Sequence, residues 1–334
     1  MYNPSYLASP PQAAARPARP LPRFHQLHTD RGEVARAELL AGLTATHPYI
    51  SPKFLYDHLG STLFTAITQV DEYYPTRCET EILGRYASEM VSHVGPVRTL
   101  IDLGAGDCVK AEALFAHAAP TQYVPVDISS DYLHSAITRL NGRYPELALV
   151  AIGMDFFNGL DFPADVGREQ RLFFYPGSSI GNLPPPQAAA LLARIRQQST
   201  GGGLLIGVDL IKDRATLELA YNDPLGVTAA FNLNMLRHAN QIVGTDFDVS
   251  RWQHVAFFNE SQSRVEMHLQ AECEVTVSWP DGRRTFQPGE RIHTESSYKY
   301  RPAGFKAMLE KSGFRNVRYW TDGQERFAVF GARA

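Results

Sequence analysis

The stretch TLIDLGAGDCVKAEALF, residues 99–115, reads as a buried strand, a turn holding two glycines, and the start of a helix. Such a turn brings backbone close to a ligand, and the residue types around it decide which ligand. A dinucleotide site asks for G-x-G-x-x-G, with pyrophosphate seated on the helix N-terminus. Gly104 and Gly106 meet the first two positions, but Val109 stands at the third, and Asp107 puts a carboxylate where a phosphate would rest. A carboxylate there repels an anion and tolerates a cation. Two more acids agree. Asp127 closes QYVPVDIS, 23 residues after Gly104, where it can accept from both hydroxyls of a ribose. Asp155 in GMDFF follows a third strand, where it can accept from an adenine amine while Phe156 stacks on the ring. A single aspartate at a strand end is commonplace in α/β proteins. The ordered set points to a nucleoside without phosphate and with a cationic centre, which is the chemistry of S-adenosylmethionine.

These residues need a scaffold that lines up strand ends. From residue 98 onward apolar strand-like runs at 98–103, 122–126, 147–152, 171–175 and 203–208 alternate with helix-like runs at 107–118, 129–140 and 185–198. That rhythm predicts a parallel sheet with helices on both faces. Upstream, 31–45, 53–70 and 78–92 read as helices around DEYYPTR (71–77). Downstream the pattern changes. Residues 213–241 read as helical, and from Val265 to Trp279 the odd positions are apolar or small while the even ones are polar, which predicts one long half-buried strand before the turn PDG at 280–282. A helix at 302–314 and two strands, RNVRYWTD and RFAVFGA, close the chain as a hairpin. The expected division is a sheet domain of 91–212 plus 299–334, and a second α+β capping or substrate domain of 23–90 plus 213–298.

Composition narrows the function. With 334 residues and 44% hydrophobic content, the chain can bury a large core in one big domain or two. A net charge of −3 gives no basic field for nucleic acid or an anionic membrane, and no apolar run approaches the roughly 20 residues of a membrane span. Three cysteines, Cys78, Cys108 and Cys273, lie far apart, without the spacing of a zinc site or a disulfide framework. The eleven histidines form no ligand cluster, so no metal is expected, and His25 and His28 read as surface residues. Residues 1–22 are rich in Pro and Ala, carry Arg16 and Arg19 without an acid, and lack an apolar signal core. They read as a flexible tail, with an organelle transit peptide as the other reading. A cytoplasmic monomer is expected.

Longer motifs carry a resemblance. YDHLGSTLFTAITQVDEYYPTRCETEIL (56–83), IDLGAGDCVKAEALF, YVPVDIS, PGSSIGNLPP (176–185), AYNDPLGVTAAFNLNML (220–236), HVAFFNESQSRVEMHL (254–269) and IHTESSYKY (292–300) together resemble the L-histidine Nα-methyltransferase family of ergothioneine biosynthesis, from about residue 35 to the C-terminus. The resemblance implies a class I, Rossmann-like α/β methyltransferase domain with the capping domain above. It implies trimethylation of L-histidine to its betaine, hercynine, with three molecules of S-adenosylmethionine. It also implies roles for particular residues. Gly104, Lys110, Asp127, Asp155 and Phe156 would surround the cofactor, with Tyr56 at its methionine end. Asn182 and Tyr221 would fix the backbone groups of the amino acid and serve the reaction. Tyr73, Glu295 and Ser297 would surround the imidazole.

The chemistry suits those residue types. An amine attacking a sulfonium methyl must first lose its proton, since α-amino groups titrate at about 8. The protein then mainly positions and desolvates. Asn182 is neutral and holds an amino or carboxylate group without competing as a nucleophile. Taken alone it reads as a turn or helix cap before LPPP. Glu295 can accept from one ring N–H and Ser297 can serve the other nitrogen. Spacing of two on a strand puts both on one face, though alone they read as a solvated strand face. Tyr73 and Tyr74 read alone as core or hinge aromatics. Methylation stops when the nitrogen becomes quaternary and has no lone pair, so the pocket must accept growing bulk, and a cap that opens suits this. Two other readings remain: the same fold acting on another amino acid or small amine such as tryptophan, and a cofactor-binding protein without turnover. Val109 and Asp107 argue against a nicotinamide reductase.

Overall fold

The computed structural model describes residues 21–27 and 32–334. The tail expected at 1–22 lies outside them but for its last two residues, and so does His28. In chain order the elements are β1 (Arg23–Gln26), α1 (Gly32–Thr44), α2 (His58–Ile67), α3 (Tyr74–Val94), β2 (Thr99–Leu103), α4 (Val109–Ala118), β3 (Gln122–Asp127), α5 (Ser130–Arg143), β4 (Ala148–Gly153) and β5 (Arg171–Tyr175). They continue with α6 (Pro185–Gln198), β6 (Gly203–Asp209), α7 (Arg214–Leu219), α8 (Val227–Val243), β7 (Trp252–Asn259) and β8 (Arg264–Ala271). The chain ends with β9 (Val275–Trp279), β10 (Gly282–Phe286), β11 (Arg291–Tyr298), α9 (Pro302–Lys311), β12 (Arg315–Thr321) and β13 (Phe327–Arg333).

Eight strands form one sheet in the order β1-β4-β3-β2-β5-β6-β13-β12. Its first six strands pair in parallel, and the closing hairpin enters antiparallel, with β13 beside β6. Counted from β2, the strands β4-β3-β2-β5-β6 have the doubly wound order 3-2-1-4-5. Strands β2, β5 and β6 are buried along their whole length, which is why they read as unbroken apolar runs. Helices α3, α4 and α5 cover one face and α6 and α9 the other, each over its own apolar core. This is the expected Rossmann-like α/β methyltransferase architecture.

The remaining elements stack above the carboxyl edge. Strands β11-β8-β7 form an antiparallel sheet and β10-β9 a hairpin. Helix α8 packs on α1, α2, β7 and β8 over a third core that includes Leu39, Phe231, Met235 and Leu269.

Four expectations change. Helix α3 lies on the large sheet, because Cys78, Ile82, Met90 and Val91 make a buried stripe at helical spacing against its core. Strand β1 hydrogen-bonds to β4. Both segments therefore pack with the sheet and not with the cap, to which 23–90 was assigned. The long helix at 213–241 is two helices, because Asp223 accepts the N–H groups of Val227 and Thr228 and Gly226 turns at φ +73°. The long strand at 265–279 is β8 and β9. Met267, Leu269 and Ala271 of β8 and Val275 and Val277 of β9 are buried in the same core, so the period of two runs through a change of partner from β11 to β10. Among the described residues, no helix is long and apolar enough to cross a membrane.

Candidate functional site

In a doubly wound sheet the strand order reverses beside the first strand, and a crevice opens at the carboxyl ends there. Here that point lies between β2 and β5. After β2 the chain turns through Gly104 (φ +71°) and Gly106 (φ +52°), and a Cβ built on either meets nothing within 4 Å. The demand for glycine thus comes from the backbone conformation, and the cradle above it is open. The Asp127 carboxylate, at the end of β3, accepts the N–H groups of Gly106 and Ser129, each at 2.9 Å. Burial raises its pKa, and those N–H groups with that of Ile128 partly oppose the rise. Asp107 accepts the Val109 N–H at 3.1 Å, so the start of α4 already carries a carboxylate. Asp155 accepts from the Phe157 N–H and the Asn158 amide, and Phe156 is buried edge-on to Tyr175. An open glycine cradle, a ribose-type acceptor and a helix start closed to anions fit S-adenosylmethionine and argue against a phosphate-bearing ligand.

Lys110 is tied down. Its Nζ donates to Glu79 Oε2 at 2.6 Å, and Glu79, fully buried on α3, also accepts the Gly177 N–H at 2.9 Å. Gly207 makes room for that carboxylate, since a Cβ there would stand 2.0 Å from Glu79 Oε1. The ammonium is thereby held beside Gly177 at the end of β5, where it can meet an anionic group.

Next to this edge lies a partly open cavity. It gathers Tyr56, Tyr73, Asn182, Tyr221, Glu295 and Ser297 from five separate stretches of sequence. Gly104, Lys110, Asp127, Asp155 and Phe156 do not line it. Asp127 holds the glycine turn through the Gly106 N–H, Lys110 lies beside Gly177, which also lines the cavity, and Asp155 and Phe156 follow β4 at the same carboxyl edge. Asn182 ends a short turn after β5, and Gly181 lets that turn approach β11, since a Cβ would meet Tyr298 O at 2.8 Å. Beyond the bulge in β11 between His293 and Glu295, the two-residue spacing carries Glu295 and Ser297 to the same cavity. The apolar wall is aromatic. Tyr56 meets Phe64 and Phe231 edge-on, each at 5.7 Å, and Tyr73 meets Phe64 and Tyr221. Tyr56 is placed by its neighbour Asp57, which caps α2 and accepts from Asn234 on α8.

Below the cavity lies a buried ionic cluster. Asp209, at the end of β6, receives Lys212 Nζ at 2.6 Å, Lys299 Nζ at 2.8 Å and the Tyr74 hydroxyl at 2.8 Å. Burial alone would raise the Asp209 pKa, but Lys299 and Lys212 hold it below the ordinary carboxylate value. Lys299 also donates to Tyr221 Oη and Ser297 Oγ, both at 2.8 Å. Glu295 is pushed up to about 7 by burial, against the pull of Lys299 and a hydrogen bond with Asn182. Sequence reading missed Phe64, Phe231 and Met267 in the wall, because helix and strand apolars there look like core. It also passed over Glu79, Asp209 and Lys299. Of the three only Asp209 left a signal, a single charge closing the apolar run GLLIGVD.

The arrangement sets an open glycine turn with a ribose-type acceptor beside a polar-floored, aromatic-walled cavity. A family model described as histidine-specific methyltransferase, SAM-dependent, matches residues 35–334. The histidine N-alpha-methyltransferase of Mycolicibacterium smegmatis is 38% identical over 304 residues, 89% of this chain and 94% of that protein. Its counterpart from Mycobacterium tuberculosis is 39% identical over 313 residues, 91% of this chain and 97% of that one. Ergothioneine biosynthesis protein 1 of Neurospora crassa is 30% identical over 282 residues, 81% of this chain and 32% of that longer protein. With an α/β fold, a cradle shaped for the methyl donor and a match across nearly its whole length, the chain belongs to the histidine-specific, S-adenosylmethionine-dependent methyltransferase family.

Proposed function

We propose that this enzyme transfers methyl groups to the α-nitrogen of L-histidine, in successive rounds to the trimethylated betaine hercynine, as the first step of ergothioneine biosynthesis. The observation that carries the reading is one cavity, beside the glycine turn, that joins a carboxylate and a hydroxyl on one strand face to a neutral amide hydrogen-bonded to that carboxylate. Glu295 and Ser297 suit the two ring nitrogens of an imidazole. Asn182 and Tyr221 suit the amino acid's backbone groups, and Tyr73 closes the aromatic side. Gly104, Asp127, Asp155 and Phe156 hold the nucleoside of the donor, with Lys110 and Tyr56 at its methionine end. S-adenosylmethionine, when bound, supplies a methyl group on a positively charged sulfur.

The chain's own residues do the rest. Glu295 is the sole carboxylate lining the cavity among the described residues, and its place is at the ring. Burial between Tyr56, Phe64 and Phe231 disfavours a charged ammonium, so the amine enters and stays as the neutral nucleophile. Asn182 orients it without competing. Residues 32–70 and 213–298 form the cap that excludes water. The enzyme is read as a monomer of the cytoplasm, a compartment that its three free cysteines suit.

Titration calorimetry tests the reading. Histidine should bind far more tightly in the presence of S-adenosylhomocysteine than tryptophan or tyrosine does, and a preference for either aromatic amino acid would overturn it. In the same experiment Asp127→Ala should weaken S-adenosylhomocysteine about 10–100-fold, the worth of a lost charge-assisted pair of hydrogen bonds, and leave histidine nearly untouched. Since Glu295 accepts more strongly as the carboxylate, kcat/KM for histidine should rise with pH through about 7. The deprotonation of the amine should add a second rise near 8 or above. Glu295→Gln should remove the part of the first limb that belongs to the carboxyl group, leaving the ring's own titration and the second limb in place.

A further inference from the structure

Ser297 is unusual in how its oxygen is used. A serine oxygen offers two lone pairs and one proton. Ser297 Oγ receives the Tyr221 hydroxyl at 2.8 Å and Lys299 Nζ at 2.8 Å, which fill both lone pairs. Lys299 is itself completely buried and held by Asp209, so it cannot swing away. The only capacity Ser297 has left is its own proton, and the cavity is where that proton can go.

We propose that Lys299, anchored by Asp209, fixes Ser297 as an obligate hydrogen-bond donor, so that the site takes the substrate ring only where it presents an unprotonated nitrogen. With Glu295 accepting from the other nitrogen, the ring bound is neutral imidazole in a single tautomer, and imidazolium is rejected. This deepens the histidine reading and rests on it. Lys299 is a positioning residue: it acts through Ser297 and Tyr221 and need not touch the substrate. The charged and titratable groups around the pair are Asp209 and Lys212 at the end of β6, Tyr74 on α3, Tyr221 between α7 and α8, and Glu295 on β11. Of these, Glu295 titrates near the range of the test. Its protonation weakens every ring that donates to it, so a ratio between two ligands cancels it.

The experiment compares L-histidine with β-(1,2,4-triazol-3-yl)alanine, whose ring keeps a donor and an acceptor nitrogen and stays unprotonated in mild acid. Both are titrated calorimetrically into the full-length protein with S-adenosylhomocysteine bound, at pH 7.5 and 5.5. A free imidazole with a pKa of about 6.5 is about one-tenth neutral at pH 5.5, so the ratio of histidine Kd to triazole Kd should rise about tenfold on acidification. In Lys299→Met, Ser297 regains a lone pair and a neighbouring cation is gone, so imidazolium becomes acceptable and the ratio should stay nearly level. Ser297→Ala removes the obligate donor while leaving the Lys299–Asp209 pair in place, and should level the ratio too. It serves where Lys299→Met fails to fold. A level ratio in the unaltered protein overturns the proposal, as does a full tenfold rise kept by the variants. Failure of both compounds to bind at either pH overturns the histidine reading and the proposal with it, whereas binding with a level ratio overturns the proposal alone.

Discussion

Replacing Glu295 by alanine should lower kcat/KM for histidine roughly 30–1000-fold, almost wholly through KM, while the affinity for S-adenosylmethionine changes little. A charge-assisted hydrogen bond is lost and a buried ring N–H is left without an acceptor, together about 2–4 kcal/mol. The separation of effects follows from the geometry. Glu295 lines the cavity, whereas Asp127 and Lys110 sit at the adjoining cradle. The fold should not suffer. Burial already pushes the Glu295 pKa up to about 7, so its ionised form is an uncomfortable tenant, and Lys299 keeps its pair with Asp209 when Glu295 is gone. Melting temperature should therefore hold or rise while KM climbs. Steady-state kinetics with each substrate varied in turn, beside calorimetric melting, checks both halves. Equal losses for histidine and cofactor would show that Glu295 serves both sites or the fold.

Asp209→Ala should do the reverse and strike stability first. Among the described residues Asp209 is the sole carboxylate that Lys212 and Lys299 contact, and both ammonium groups are almost entirely shielded from water. Removing it strands two buried cations, and breaking a buried pair from one side costs about 3–5 kcal/mol. In a chain of this size that corresponds to a fall in melting temperature of roughly 4–7 °C. Asp209→Asn should recover little, because the amide keeps the shape without the charge. Because the cluster is sealed from solvent, added salt should not rescue either variant, in contrast to the exposed pairs such as Arg318–Glu89. A melting temperature unchanged in Asp209→Ala would mean that the two lysines find other partners or give up their protons.

Much of this was readable in the chain because burial on both faces leaves a plain mark. Strand 171–175 and helix 185–198 come out at the expected residues: the strand is a buried run of the sheet and the helix opens on Pro185 after Pro184. The six cavity residues are all legible in the sequence, yet no local pattern puts them together. Tyr73 and Asn182 follow from resemblance to long motifs, and only the fold carries the α3 region and the end of β5 to β11. Other features left no mark in the sequence. RFHQ has no apolar run to betray β1, an edge strand. The stripe on α3 says that the helix is buried but not against which layer. Lys299 and Asp209 lie 90 residues apart, and nothing local tells a paired buried lysine from a surface one.

The most direct measurement offers the purified protein a panel of free amino acids with methyl-labelled S-adenosylmethionine and follows products by mass spectrometry. The account predicts that label enters histidine first, on its α-nitrogen, and accumulates to a product heavier by three methyl groups. If histidine stays unlabelled while tryptophan, tyrosine or another amine gains mass, the assignment of Glu295 and Ser297 to an imidazole is wrong.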